Sequence, residues 1–143
     1  MSTPTISPVS LLDTIGRTPL LRLHRLCGAS PPAEIYAKAE FQNPGGSVKD
    51  RAAMAIIHDA ERTGRLRPGG VILDATSGNT GIAYAMIAAA RGYRLKLCVP
   101  GNVTTERLRT LRAYGAEVVV TNPMEGTDGA NREARRLQAE SPG

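Results

Sequence analysis

What most constrains this chain is its alternation of short β-branched strands with helical segments, each junction punctuated by glycine or proline. Residues 34–39 read as a strand and residues 48–63 as a helix ended by Gly64. Residues 71–75 form the next strand, after Pro68-Gly69-Gly70, and residues 80–91 a helix that is apolar nearly all round and stops at Gly92. Residues 95–99 and 117–121 complete the strands, and residues 105–114 and 128–140 the helices. Four β-α units predict an open three-layer α/β/α architecture. Its parallel sheet has about four strands, covered by helices on both faces. Residues 1–33 contain a loose arm, turn chemistry at 13–19, a possible short strand at 20–23 and a linker at 28–33. They find no obvious partner within the α/β unit of residues 34–143. The sequence therefore reads as one domain plus the start of something larger, whose second domain is not included.

Composition excludes several classes of function. At 143 residues with 41% hydrophobic content, the chain can build one real core, and an aromatic fraction of 3% makes that core aliphatic and alanine-rich. The net charge of +5 is carried almost entirely by arginine, since Lys38, Lys49 and Lys96 are the only lysines. The arginines at 62, 65 and 67 and at 107, 109 and 112 read as solvated helix faces. No aromatic residues interleave them to stack on bases, so nucleic acid is not an expected partner. A basic surface suits small anionic substrates instead. Cys27 and Cys98 have no metal-ligand spacing, and no metal site is expected. A buried free thiol, no secretory pattern in the first ten residues and no long apolar run point to a cytoplasmic chain away from membranes. His24 and His58 lack ligand-spaced partners and read as surface residues.

The chemistry concentrates in Asn43-Pro44-Gly45-Gly46-Ser47-Val48-Lys49-Asp50-Arg51. Ser47 and Asp50 have capping-box spacing, which makes Ser47 the N-cap and Lys49 the second helical residue. Lys49 would then meet the positive end of the helix dipole and head a stripe with Ala53, Ile56 and Ala60. Burial and dipole would both favour a neutral amine able to act as a nucleophile or form an imine. Asp50 would point elsewhere and be used up by the cap. Geometry alone also leaves open a lysine that merely snorkels at a helix end.

A second loop, Asp74-Ala75-Thr76-Ser77-Gly78-Asn79-Thr80-Gly81, leaves the C-terminal end of the next strand, where ligands of open α/β sheets bind. Helix-start N–H groups, the hydroxyls of Thr76, Ser77 and Thr80 and the Asn79 amide could cradle a carboxylate or phosphate. Gly78 and Gly81 would allow backbone to approach a ligand. The spacing is neither a dinucleotide fingerprint nor a P-loop, and a polar helix cap without ligand remains open. An amine and an anion cradle at one sheet edge suggest imine chemistry on an amino acid, with pyridoxal phosphate as the cofactor.

Both stretches closely resemble the N-terminal motifs of the cysteine synthase/cystathionine β-synthase family of fold-type II pyridoxal-phosphate enzymes. Thr14-Ile15-Gly16-Arg17-Thr18-Pro19-Leu20 looks like that family's opening motif. Arg112-Ala113-Tyr114-Gly115-Ala116-Glu117 and Ala85-Met86-Ile87-Ala88-Ala89 are most similar to B-type cysteine synthases. The resemblance implies that Lys49 holds pyridoxal 5'-phosphate and later moves the substrate α-proton. It implies that Asn79 bonds the phenolic oxygen of the cofactor ring. Thr76, Ser77 and Thr80, with the backbone at Gly78, would hold the substrate carboxylate. The implied reaction replaces the activated hydroxyl of an O-acetyl or O-phospho serine with a sulfur nucleophile, giving cysteine in a homodimeric full-length enzyme. Cystathionine β-synthase activity is the alternative enzyme reading, and a non-catalytic half-domain that binds a partner or a small anion is the alternative outside enzymes. One feature departs from the family: no segment after Gly81 has the pattern of its glycine/threonine-rich phosphate loop. The resemblance therefore implies an incomplete fold-type II unit with little or no turnover alone.

Overall fold

The computed structural model describes residues 9–27 and 33–140, with the side chain of Cys27 excluded. The arm at 1–8, most of the 28–33 linker and the last three residues lie outside the described residues. In chain order the elements are β1 (Leu20–Arg22), α1 (His24–Cys27), β2 (Tyr36–Lys38), α2 (Lys49–Arg62), β3 (Val71–Ala75) and α3 (Asn79–Arg91). They continue with β4 (Arg94–Pro100), α4 (Thr105–Ala113), β5 (Glu117–Thr121) and α5 (Gly126–Glu140). Three short 3-10 turns, Leu11–Thr14, Glu40–Gln42 and Pro123–Glu125, link them.

The parallel α/β architecture is as the sequence predicts, but the parallel sheet has three strands, in the order β3-β4-β5. Residues 34–39 do not supply a fourth. Their central portion, β2, pairs antiparallel with β1, Leu20 opposite Lys38 and Arg22 opposite Tyr36. The pairing is extended at both ends, where Ala39 N–H donates to Pro19 O at 2.9 Å and Leu23 N–H to Ile35 O at 2.9 Å. The segment before residue 34 thus has partners inside the unit. Leu12 belongs to the main core, and Ile15 packs against it.

Alternation along β4 sorts the layers. Leu95, Leu97 and Val99 point into the main core with Ala83, Tyr84, Met86 and Ile87 of α3 and Ala53 and Ile57 of α2. Cys98 points the other way, toward α5, where Glu133 and Arg136 act on it electrostatically. Burial pushes its thiol up, so it behaves as packing and not as a nucleophile. Both faces of the sheet are therefore covered. The core is alanine-rich as composition requires: Ala53, Ala83, Ala85, Ala88, Ala116 and Ala130 are buried, and the only phenylalanine, Phe41, is 68% exposed.

Helix ends follow the punctuation. Gly92 terminates α3 at φ 73°, a left-handed cap that a side chain adopts only with strain. At that end Arg91 pairs with Glu61 of α2, and Tyr93 Oη donates to Glu61 Oε1 at 2.7 Å. Glu61 lies twelve residues beyond Lys49, and Arg91 twelve beyond Asn79. Each span rises about 18 Å along its helix. Packed side by side with their C-terminal ends joined, α2 and α3 run in the same direction and begin at the same end of the domain.

Leu97 is fully buried at the centre of the sheet. Leu97→Ala is expected to lower unfolding free energy by about 3 kcal/mol, read from the urea midpoint at unchanged slope.

Candidate functional site

Thr104 caps α4, its hydroxyl accepting from Arg107 N–H. The start of α2 is built differently. Asn43 O accepts from Gly46 N–H at 2.7 Å, turning the chain, and Gly46 takes φ 83°. Ser47 is buried and its hydroxyl accepts from Lys49 N–H at 3.2 Å, but α2 begins at Lys49 with Val48 as its N-cap, one residue later than the capping-box spacing predicts. The reciprocal half of the capping box is not made. Asp50 Oδ2 reaches past Ser47 and accepts from Gly45 N–H at 2.6 Å. Asp50 is 0% exposed and its other oxygen, Oδ1, has no partner. Burial raises its pKa, against the opposing bond from Gly45 and with the help of the nearby Glu40 charge.

This corrects the orientation expected of Lys49. The buried face of α2 is Asp50, Ala53 and Ile57, while Lys49 is exposed and Ile56 is 54% exposed. Drawing the Asp50 carboxylate inward rotates the first turn by one residue and leaves the lysine on the flank. Its amine has no hydrogen bond or ion pair among the described residues, and in this it differs from the other two lysines. Lys38 donates to Thr18, and Lys96 pairs with Glu117 at 2.9 Å.

The next residue, Arg51, anchors the stretch from the other side. Its Nε and Nη2 fork onto Glu40 at 2.9 and 2.8 Å, and Nη2 also donates to Gly16 O at 2.8 Å. Thr18 Oγ1 donates to Glu40 Oε1 at 2.9 Å, and Asn43 Nδ2 to Glu40 Oε2 at 2.9 Å. Asn43 Oδ1 in turn accepts from Gly16 N–H at 2.8 Å. A Cβ on Gly16 would stand 2.6 Å from Arg51 Nη1, and its φ of 81° also favours glycine. The Thr14–Leu20 and Asn43–Arg51 motifs are thereby one hydrogen-bonded unit. Arg51, foremost among its partners, holds the Glu40 carboxyl down at about 2.

Sequence reasoning missed the roles of Glu40, Thr18 and Arg51. The signal was available: a threonine, an acid and an arginine set among turn residues with no hydrophobic period to explain them.

The second loop leaves the end of β3 and enters α3. Thr76, Ser77, Gly78 and Thr80 are half-buried, and Asn79 is exposed. None of their side chains caps the helix: Gly78 is the N-cap, with no side-chain bond to the first turn. The loop therefore presents a helix start without an internal cap, where the dipole favours an anion. A Cβ on Gly78 would meet nothing within 4 Å, so that backbone is open to approach. Gly81 has a different reason to be glycine. A Cβ there would lie 3.0 Å from Thr76 O and 3.4 Å from Leu97 Cδ1, so its close approach is to the protein's own strand. Arg107 of α4 reaches over to Ser77 O at 3.5 Å and adds a cation beside the loop.

Because α2 and α3 begin at the same end, the unpaired amine and the uncapped helix start share that end of the domain. The arrangement can attract a carboxylate and offer an amine to a carbonyl group. No group of three or more metal-ligating side chains occurs among the described residues. His24 and His58 are exposed. Two concavities, of about 410 Å³ beside residues 23–26 and about 330 Å³ between β5 and α5, are lined by neither Lys49 nor the Thr76–Gly81 loop.

Comparison with known proteins matches residues 11–143 to a family described as pyridoxal-phosphate dependent enzymes. Cysteine synthase B of Salmonella typhimurium is 49% identical over 134 residues, covering 94% of this chain and 44% of that protein. The solved structure of cysteine synthase from Entamoeba histolytica superposes with a TM-score of 0.90 at 38% identity, over all of this chain and 43% of that one. An O-acetylserine dependent cystathionine beta-synthase from Helicobacter pylori superposes at 0.84 and 36% identity, over 96% of this chain and 45% of that one. The chain thus spans less than half the length of these relatives.

The Glu40 shift has a defined pH signature. A carboxyl depressed from 4.5 to about 2 stabilises the fold fully above pH 4.5, and that contribution is lost as pH falls toward 2. Carboxyl-detected NMR should place the Glu40 midpoint near 2. In Arg51→Met it should return toward the ordinary carboxylate range, with acid unfolding beginning at higher pH.

Proposed function

We proceed from the fact that this chain belongs to the family of pyridoxal-phosphate dependent enzymes, and we propose that it is the lysine-bearing N-terminal portion of a cysteine synthase. The reaction replaces the activated hydroxyl of an O-acetyl or O-phospho L-serine with a sulfur nucleophile to give L-cysteine. The observation that carries the proposal is the free amine of Lys49. It alone of the three lysine amines lacks a partner among the described residues, and it shares an end of the domain with an uncapped, glycine-lined helix start. The relatives named cysteine synthase supply the reaction class.

These residues fit the cofactor's chemistry: a primary amine free to bond its aldehyde carbon, and polar groups able to order an amino acid beside it. Pyridoxal 5'-phosphate supplies, when bound, an electron sink that allows an amino acid to lose its α-proton and β-substituent. Lys49 Nζ would hold the cofactor and then carry the proton taken from the substrate Cα. Thr76, Ser77 and Thr80 would bind the substrate carboxylate with their hydroxyls, assisted by the Gly78 backbone and the dipole of α3. Asn79 would donate its side-chain amide to the ring oxygen of the cofactor. Arg107 would bias the loop toward anions.

Under this reading residues 34–143, with the paired and packed residues 9–23, form the lysine-bearing domain, and a second domain holds the phosphate. The whole enzyme would be a cytoplasmic homodimer, a setting in which a free buried Cys98 is at home. The Helicobacter pylori neighbour favours a second reading, in which the nucleophile is a larger thiol and the product a thioether.

Borohydride reduction of the 143-residue chain with excess pyridoxal phosphate is expected to leave a pyridoxyl group on Lys49, with Lys38 and Lys96 largely unlabelled in peptide mapping. Lys49→Ala should abolish the major label. A wild-type chain unlabelled at Lys49 would favour a non-catalytic binding domain. The chain by itself should hold the cofactor weakly and form little or no cysteine; robust synthesis would contradict the division of labour proposed here.

A further inference from the structure

Asp50 is a fully buried carboxylate in the first turn of α2, beside the lysine, and the reaction outlined above gives it no work. A lone buried acid with an unpartnered oxygen is costly to keep unless its placement does something. Its one hydrogen bond, from Gly45 N–H at 2.6 Å, closes residues 45–50 into a ring that contains Ser47, Val48 and Lys49. The fit is tight on both sides. A Cβ built on Gly45 would stand 2.4 Å from Asp50 Oδ1 and 2.9 Å from its Cγ. Gly45 does not take a positive φ, so the carboxylate, and not backbone conformation, is what requires glycine there.

We infer that Asp50 is the positioning residue of Lys49: a buried latch onto Gly45 that fixes the loop and the first helical turn, and so fixes where the lysine amine stands. The inference rests on the reading of Lys49 as the cofactor-holding amine, but the latch itself can be tested without cofactor. Lys49 N–H bonds to Ser47 Oγ inside the ring, so the Asp50–Gly45 bond holds the lysine backbone while its side chain remains exposed. On the far side Arg51 holds the same turn to Glu40 and Gly16. The free lysine thus directly precedes two tethered residues, Asp50 and Arg51.

Asp50→Asn keeps an oxygen that can accept from Gly45 N–H, whereas Asp50→Ala removes it. Gly45→Ala should expel the carboxylate and mimic Asp50→Ala, while Gly45→Ala added to Asp50→Ala should do little more, because the atoms it would strike are gone. Amide hydrogen exchange on the cofactor-free chain reads this directly. Exchange at Gly45 and Lys49 should accelerate at least tenfold in Asp50→Ala and in Gly45→Ala, stay within about threefold of wild type in Asp50→Asn, and leave the core amides of Ile87 and Leu97 unchanged. Acceleration confined to Gly45, with Lys49 unmoved, would overturn the positioning role, as would equal disturbance by Asn and Ala. Should the alanine variants not fold, the wild-type Gly45 amide decides: protection supports the latch, and exchange at the rate of an unbonded glycine overturns it. With cofactor and borohydride, the share of label on Lys49 relative to Lys38 and Lys96 should fall in Asp50→Ala and recover in Asp50→Asn. Failure of wild-type Lys49 to label at all would count against the cofactor reading and leave the exchange result standing.

Discussion

The placement of Lys49 depends on the fork of Arg51 around the Glu40 carboxylate. That pair ties the turn before β1 to the start of α2, and every other member of the network bonds to one of the two or to the backbone at Gly16. Charge-assisted, bidentate geometry gives it direction as well as strength, and two further side-chain donors, Thr18 and Asn43, keep the carboxylate satisfied while it is mostly withdrawn from water. A lysine with Arg as its neighbour on one side of this scaffold and a buried Asp between them cannot drift with the loop. Its exposure is thus compatible with a fixed position.

The second constraint is the direction of two helices. The aliphatic core presses α2 and α3 together, and Glu61, Arg91 and Tyr93 join their C-terminal ends. Because Lys49 and Asn79 sit the same number of turns before those residues, the core delivers the amine and the polar loop to the same end without a direct bond between them. Small side chains make the close packing possible: Ala53 of α2 and Ala83 of α3 are both 0% exposed. The alanine richness expected of the core is what lets the two loops share an edge.

Much of this was legible beforehand. Strand and helix positions from residue 71 onward followed from β-branched runs and glycine stops, because local period and tertiary burial agree there. Residues 34–39 were harder: a short run with one β-branched residue, Ile35, pairs equally well in a parallel sheet or an antiparallel ribbon, and the deciding partner, β1, is only three residues long. The Lys49 stripe failed for a different reason. Helical spacing counts apolar neighbours, but the inward direction was set by a polar residue, Asp50, whose partner is a backbone N–H five positions earlier. Likewise the capping-box spacing placed the cap one residue early, at Ser47 and not Val48, and gave the acid the wrong reach. Gly81 was read as room for a ligand and turned out to be room for Thr76 and Leu97, while Gly78 does face open space.

The central claim is that the free amine of Lys49 and the Thr76–Thr80 loop form one ligand-binding end of this domain. Backbone amide chemical shifts recorded during titration with pyridoxal phosphate test it most directly. The account predicts that the changes concentrate at residues 45–51 and 76–80, and vanish at 45–51 in Lys49→Ala. Shifts centred on Lys38, Lys96 or the Glu61–Arg91 end, with both loops unmoved, would contradict it.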